Sequence, residues 1–224
     1  SSALLLQSTA YLATRMLMLH TFPLHFTEYV SITQHIDLYN ETKLKENLLK
    51  TLFYSENFKE LKQNLQKLRV EFDSYYDKIP DSEELISEYI KYHNIARFSL
   101  FKNKKYILSE INSLYRRVIH EDIPVLANDI QTGHANKVLL RLAASDEINS
   151  QALSKVLGIP KQMIDNTINI LSKAELINIL QPHGGVDTKI NKMKKAFFMS
   201  PSIRLALLSQ LQYDINNDHL SKLY

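Results

Sequence analysis

The chain of 224 residues contains no cysteine, and its four glycines, Gly133, Gly158, Gly184 and Gly185, all lie after residue 132. The missing thiols exclude disulfides, thiolate nucleophiles and cysteine-ligated zinc, and they suit a reducing compartment. The glycine distribution excludes a glycine-rich phosphate loop in the first 132 residues. Long apolar runs are lacking too: Ala3 to Leu6 and Arg15 to Phe22 fall far short of the ~18 residues that suggest a membrane span. Ser1 opens without the charged start and apolar run of a signal peptide. These absences predict a soluble cytoplasmic protein with no membrane partner.

What is present is ordinary globular material, 45% hydrophobic and 23% charged, enough for one large domain or two small ones. A net charge of +3 is too small by itself to mark a nucleic-acid binder, so the distribution of charge has to decide.

Residues 3–14 suit a helix, and Met16 to Phe22 reads as a short buried strand closed by Pro23. From Glu41 to Tyr76 the pattern is helical, with Leu44, Leu48 and Leu52, then Phe58, Leu61, Leu65, Leu68 and Phe72 at steps of three and four. It predicts one amphipathic helix or an antiparallel pair broken near Ser55 to Asn57, a packing face before it is a partner's seam. Pro80-Asp81-Ser82 starts a helix running to about Tyr92 with Ser82 as its cap, another spans Lys104 to Val118, and Pro124 redirects the chain. Domains are expected at 1–40, 41–135 and 136–212, with a tail at 213–224.

After Gly133 the texture changes. Lys137 to Ala143 is almost wholly apolar, Asn149-Ser150 offers a cap for Gln151 to Leu157, and Gly158-Ile159-Pro160 separates that helix from Lys161 to Glu175. Glycine ends the one helix and proline presets the start of the next. Ala152, Leu153, Val156, Leu157, Ile164, Ile168 and Leu171 are the expected core, Leu176 to Leu180 and Ala196 to Met199 the expected strands. A helix-turn-helix followed by a two-stranded ribbon is a winged helix, so the fold class is mainly α: a helical lid-like domain, then a winged helix-turn-helix domain with a small β-ribbon. On that fold Lys161, Gln162, Asp165, Asn166 and Asn169 lie on the exposed face of the third helix, and Lys161 and Gln162 there, with Lys189, Lys192, Lys194 and Lys195 of the wing, are candidate contacts to DNA. The third helix carries no arginine and places Asp165 one turn after Lys161, so a protein-docking winged helix is the competing reading.

Four blocks carry a resemblance: Ser1-Ser2 before an apolar helix; Arg15 followed by Pro23-Leu-His-Phe-Thr-Glu28-Tyr29; Val118-Ile-His-Glu-Asp122-Ile; and the winged helix closing on Lys194-Lys-Ala-Phe-Phe-Met-Ser-Pro-Ser-Ile-Arg204. In this order they resemble the prokaryotic AAA+-type P-loop ATPases in which an ATPase core is followed by a helical lid and a winged-helix C-terminal domain of unknown function. The chain departs from that pattern at Thr14 and His25, at His93-Asn-Ile-Ala96 where the family has Gly-Gly-Phe-Pro, and at Ser200-Pro-Ser202 where it has Asp-x-Gly.

The resemblance implies that residues 1–40 close an ATPase core whose first half, with the phosphate loop, is a missing partner, so the chain alone binds no cofactor while the complete protein uses ATP and Mg. It implies that Ser1 and Ser2 sense the γ-phosphate or orient water, that Arg15 acts as an arginine finger in a homo-oligomer, and that Glu28 caps or pairs within the lid. No metal site is expected: the eight histidines are scattered and His120-Glu121-Asp122 lacks a metal spacing. Three functions compete: the C-terminal portion of an ATP-binding AAA+ switch, a winged-helix DNA-binding regulator, and a winged-helix protein-interaction module.

Overall fold

The computed structural model describes residues 22–36, 41–126, 132–145, 147–185 and 193–212. Ser1, Ser2, Arg15, Lys189, Lys192, the expected helix at 3–14 and nearly all of the strand ending at Phe22 lie outside them, as does the tail from 213. The chain divides into two compact units, of which residues 24–89 form one and the residues from Ile90 onward belong to the other. The dividing line therefore falls at Tyr89/Ile90 and not near residue 135, because the helix after Lys104 packs with the winged helix.

Residues 24–89 hold α1 (Phe26–Gln34), α2 (Glu41–Tyr54), α3 (Phe58–Tyr76) and α4 (Ser82–Glu88). Glu28 closes the start of α1 by accepting the backbone N–H of His25 at 2.7 Å, a cap within its own helix. The break between α2 and α3 falls at Ser55 to Asn57, and the Asn57 side chain accepts the Glu60 N–H at 2.9 Å. The two helices pack together with Leu44 and Leu68 buried, while Phe58, the first member of the expected apolar series, is 78% exposed. Ser82 does not cap α4; that position belongs to Asp81, held at φ 48°. Tyr89 stacks against Phe26 and Tyr29 with ring centroids 5.5 and 5.7 Å away, and its hydroxyl donates to the Leu24 carbonyl at 2.6 Å.

The second unit opens with a π-helical turn that ends at His93 and a 3-10 turn Ala96–Phe98. Then come α5 (Lys104–Arg117), a π-helical turn Val118–Asp122, α6 (Ile123–Leu126), α7 (Thr132–Ala144), β1 (Glu147–Ile148), α8 (Ser150–Leu157), α9 (Lys161–Lys173), β2 (Ile177–Leu180), β3 (Lys194–Phe198) and α10 (Pro201–Gln210). The strands form an antiparallel sheet in the order β1-β3-β2, with Glu147 opposite Lys195 and Ile177 opposite Phe198. The architecture is the expected one, mainly helical with a small ribbon, and β1 adds a third strand to the two expected.

Local chemistry explains the turn of the helix-turn-helix. The Asn149 side chain accepts the Ala152 N–H at 3.0 Å, Gly158 sits at φ 66°, and its N–H returns to the Ser154 carbonyl. Leu153, Ile164, Ile168 and Leu171 are buried in one core with Val138, Leu139 and Leu142 of α7. Two expected core residues are not there: Ala152 is exposed and Val156 is 66% exposed. They lie on the outer face of α8, a helix of only 8 residues, too short for periodicity to fix a face.

α10 has no counterpart in the expected elements. Leu205 to Leu208 are buried in it, and so is Arg204, whose Nε donates to the Ala143 carbonyl at 3.0 Å near the C-terminal end of α7, where helix carbonyls favour a cation. Asn94 ties the opening of the unit to α10, donating to the Ile90 carbonyl at 2.9 Å and to the Ser202 hydroxyl at 2.7 Å while accepting from Ser200.

Candidate nucleic-acid interface

The start of α8, the outer face of α9 and the ribbon enclose a cleft of about 970 Å³. Nine of its thirteen lining residues are polar, Asn149, Gln151, Asn169 and Gln181 supplying amides and Lys161 and Lys194 cations. Helical spacing brings Lys161, Asp165, Asn169 and Ser172 to one side of α9 because they are four, four and three residues apart. Thr167 and Leu171 turn the other way into the core, and Ile168, buried as well, forms part of the cleft floor.

Asp165 is the electrostatic centre of the cleft. Lys161 Nζ lies 2.9 Å from its Oδ2. Partial burial works to raise its carboxyl, but the Ser150 hydroxyl, the Lys161 hydrogen bond and the charges of Lys161 and Lys194 outweigh it and hold it below the usual carboxylate range. An exposed pair of this kind adds at most about 1 kcal/mol to stability. Its larger consequence is that one of the two lysines lining the cleft is paired with a carboxylate of the same wall.

The expected contacts are distributed unevenly. Lys161 and Lys194 line the cleft together. Gln162 is exposed beside it on α9 without lining it, and Lys195, one residue on in β3, projects to the opposite face of the ribbon, across from Glu147 and Leu180. The amides of Asn149, Gln151 and Gln181 were not among the candidates, and their uncharged side chains in loop and cap positions give a sequence reading no charge signal to follow.

Neither a phosphate loop nor a metal-ligating cluster is formed among the described residues. The glycines described, Gly133, Gly158, Gly184 and Gly185, form no phosphate-loop pattern with a following lysine and hydroxyl, and no three histidine, aspartate or glutamate side chains gather as metal ligands there. Among the described residues no helix is long and apolar enough to cross a membrane.

The domain of unknown function DUF8612 matches residues 94–214, more than half of the chain and nearly all of the second unit's described part, and the chain belongs to that family. It is also similar to the uncharacterized protein MJ1637 of Methanocaldococcus jannaschii, with 28% identity over 214 residues that cover 92% of this chain and 41% of that protein. The chain thus spans about two fifths of the length of this curated relative. No solved structure matches it.

Proposed function

We propose that this member of the DUF8612 family binds duplex nucleic acid through its winged helix, with α9 facing a groove and the ribbon over the phosphate backbone. The observation that carries the reading is the chemistry of the cleft, whose walls are mostly amides, hydroxyls and lysines. Amides pair with adenine edges, lysines with guanine or phosphate, and a carboxylate accepts from cytosine. A protein-docking face would be built round apolar anchors. Of the exposed large hydrophobics of the winged helix, Val156 and Leu180 stand outside the cleft and Met193 alone lines it, at its rim.

The test is binding of a labelled DNA duplex to the full chain across a salt series. Affinity is expected to fall steeply with salt, and Lys161→Ala with Lys194→Ala to flatten the log–log slope by about 2, since each phosphate contact contributes ~0.9. Asp165→Asn, which frees Lys161 and removes the repelling charge, is expected to tighten binding several-fold at low salt. No binding, or binding indifferent to salt, removes the reading in favour of protein docking.

A second reading keeps the chain as the C-terminal portion of an ATP-binding AAA+ switch, with ATP and Mg held elsewhere in the complete protein. Two observations favour it. The relative is more than twice as long as the part matched, which leaves length for a phosphate-loop core. The two turns at which this chain departs from the resembled pattern, 93–96 and 200–202, are bonded to each other through Asn94, Ser200 and Ser202, so the departures compensate one another. If it is right, a longer protein carrying this chain hydrolyses ATP while the chain alone does not. Arg15→Ala then lowers turnover, and wild-type subunits mixed into the oligomer restore it. A longer protein without ATP hydrolysis ends this reading.

A further inference from the structure

Besides the wing lysines, positive charge gathers in a second place, along α5 and the residues leading into it. Between residues 97 and 117 there are six cations, Arg97, Lys102, Lys104, Lys105, Arg116 and Arg117, against the single carboxylate Glu110. The whole chain has 27 basic and 24 acidic side chains, so the remainder, with 21 against 23, is slightly acidic. The one local carboxylate is already engaged, with Arg97 Nη2 at 3.4 Å from Glu110, and Lys104 lies over the Tyr92 ring at 5.8 Å. Lys105 and Arg116 point elsewhere.

On the outer face of α5, Lys105, Ser109, Asn112, Ser113 and Arg116 line a shallow groove of about 420 Å³ with no carboxylate in its walls. Their spacing puts them on one stripe of the helix, with the two cations ~16 Å apart along its axis. The Asn112 oxygen accepts from Gln210 at 2.7 Å, leaving its N–H donors for a ligand. The Ser113 hydroxyl is spent on the Ser109 carbonyl at 3.0 Å, but cations at both ends with the Ser109 hydroxyl and the Asn112 amide between them are the elements of a surface that tracks a phosphate backbone. Over ~16 Å a duplex strand, rising 3.4 Å per nucleotide, presents about five phosphates. α5 packs on α10, and α10 on α7, which also packs on α9. The stripe and the cleft therefore belong to different layers of the unit.

We propose that the outer stripe of α5 is a second nucleic-acid contact, gripping the sugar-phosphate backbone without reading sequence. It rests on the reading of the winged helix as a nucleic-acid module and extends it: the duplex is held at two places, so it must bend around the unit or be long enough to reach both.

The experiment measures binding of the full chain to a labelled duplex of about 30 base pairs, long enough to be bent, as a function of salt. Three double variants are compared: Lys105→Ala with Arg116→Ala on the stripe, Lys161→Ala with Lys194→Ala in the cleft, and Lys59→Ala with Lys67→Ala on α3 as a control for charge alone. All six side chains lie on the surface or at its edge, and circular dichroism checks that each variant is folded. The proposal expects the stripe variant to flatten the salt slope by about 2 and weaken binding roughly tenfold, with the control close to wild type. If the stripe variant binds like wild type while the cleft variant fails, the stripe is overturned and the winged-helix reading stands. An equal loss in the control also overturns it, as bulk charge. If wild type binds no duplex, both readings fall, and capture of phosphatidylserine vesicles or of an acidic peptide by Lys105 and Arg116 would reassign the stripe.

Discussion

Residues 24–89 and residues 90–212 are built from the same material, amphipathic helices with lysine and glutamate on their outer faces, yet they bury it to different depths. The twelve largest fully buried side chains among the described residues all lie between Phe98 and Leu207. In the first region Leu52, Phe53, Tyr54, Phe58 and Val70 remain exposed. The reason is geometric. α2 and α3 have each other, so an apolar stripe is covered along one groove only. α7, α8, α9, α10 and the ribbon surround a common centre, and each covers the others' flanks. Periodicity reports that a helix has a face; the number of neighbours decides what that face is worth.

Truncating one leucine in each region tests this most directly. Leu171, fully enclosed beneath α9, is expected to cost about 4 kcal/mol as Leu171→Ala, and Leu68 on α3, at 8% exposure, about 2 kcal/mol as Leu68→Ala, because the smaller value belongs to sites that can collapse. Urea denaturation of both variants measures the difference. Equal losses would break the comparison and mean that the helical pair is as closely packed as the winged helix.

A smaller effect is expected at the turn between α8 and α9. Gly158 sits at φ 66° with open space where a Cβ would go, so Gly158→Ala meets no clash and costs only the left-handed backbone, roughly 1 kcal/mol. A loss near 4 kcal/mol would show that the turn is more crowded than its geometry indicates.

These positions also show why part of the molecule was legible in its sequence. Asn149, Gly158 and Pro160 are local signals whose meaning does not depend on distant partners, and the helix-turn-helix follows from them. β1 has two residues, too few for any alternation. α10 is buried almost all round with Arg204 in its interior, so it shows no amphipathic period and its arginine reads as surface. The boundary at Tyr89/Ile90 was hidden because the apolar face of α5 announces that it packs, not on what. The lysines of the cleft and Asn169 on α9 were legible, and the amides of Asn149, Gln151 and Gln181 were not. The basic stretch at 97–117 is legible from a running sum of charge alone.

The side-chain caps at the starts of α3 and α8 make a matched pair across the two regions. Asn57 and Asn149 accept the N–H three residues on at 2.9 and 3.0 Å. Each Asn→Ala change should cost about 1 kcal/mol, read by chemical denaturation, and the two losses should agree within a few tenths. A cap depends on its own first turn and not on the depth of the core beneath it, so a large disagreement would show that the thinner region cannot hold its helix ends.

The smallest effect is confined to alkaline solution and belongs to the first region alone. Burial, with the Glu88 charge adding to it, pushes the Tyr29 phenol up to about 12 from 10.0. The folded state therefore keeps a proton that the unfolded chain releases above pH 10. Stability from this group is fully present below pH 10 and is lost as pH rises through the window to about 12. The limiting slope for one proton is about 1.4 kcal/mol per pH unit, and solvent screening reduces it to a fraction of that. Other tyrosines and the lysines titrate in the same range, so the informative quantity is the difference between wild type and Tyr29→Phe in thermal melts at pH 9, 10, 11 and 12. The two should run parallel up to pH 10, after which wild type should lose stability faster. Parallel curves throughout would mean that water reaches the Tyr29 hydroxyl, and that even the best-covered aromatic of residues 24–89 is not sealed as the side chains around α9 are.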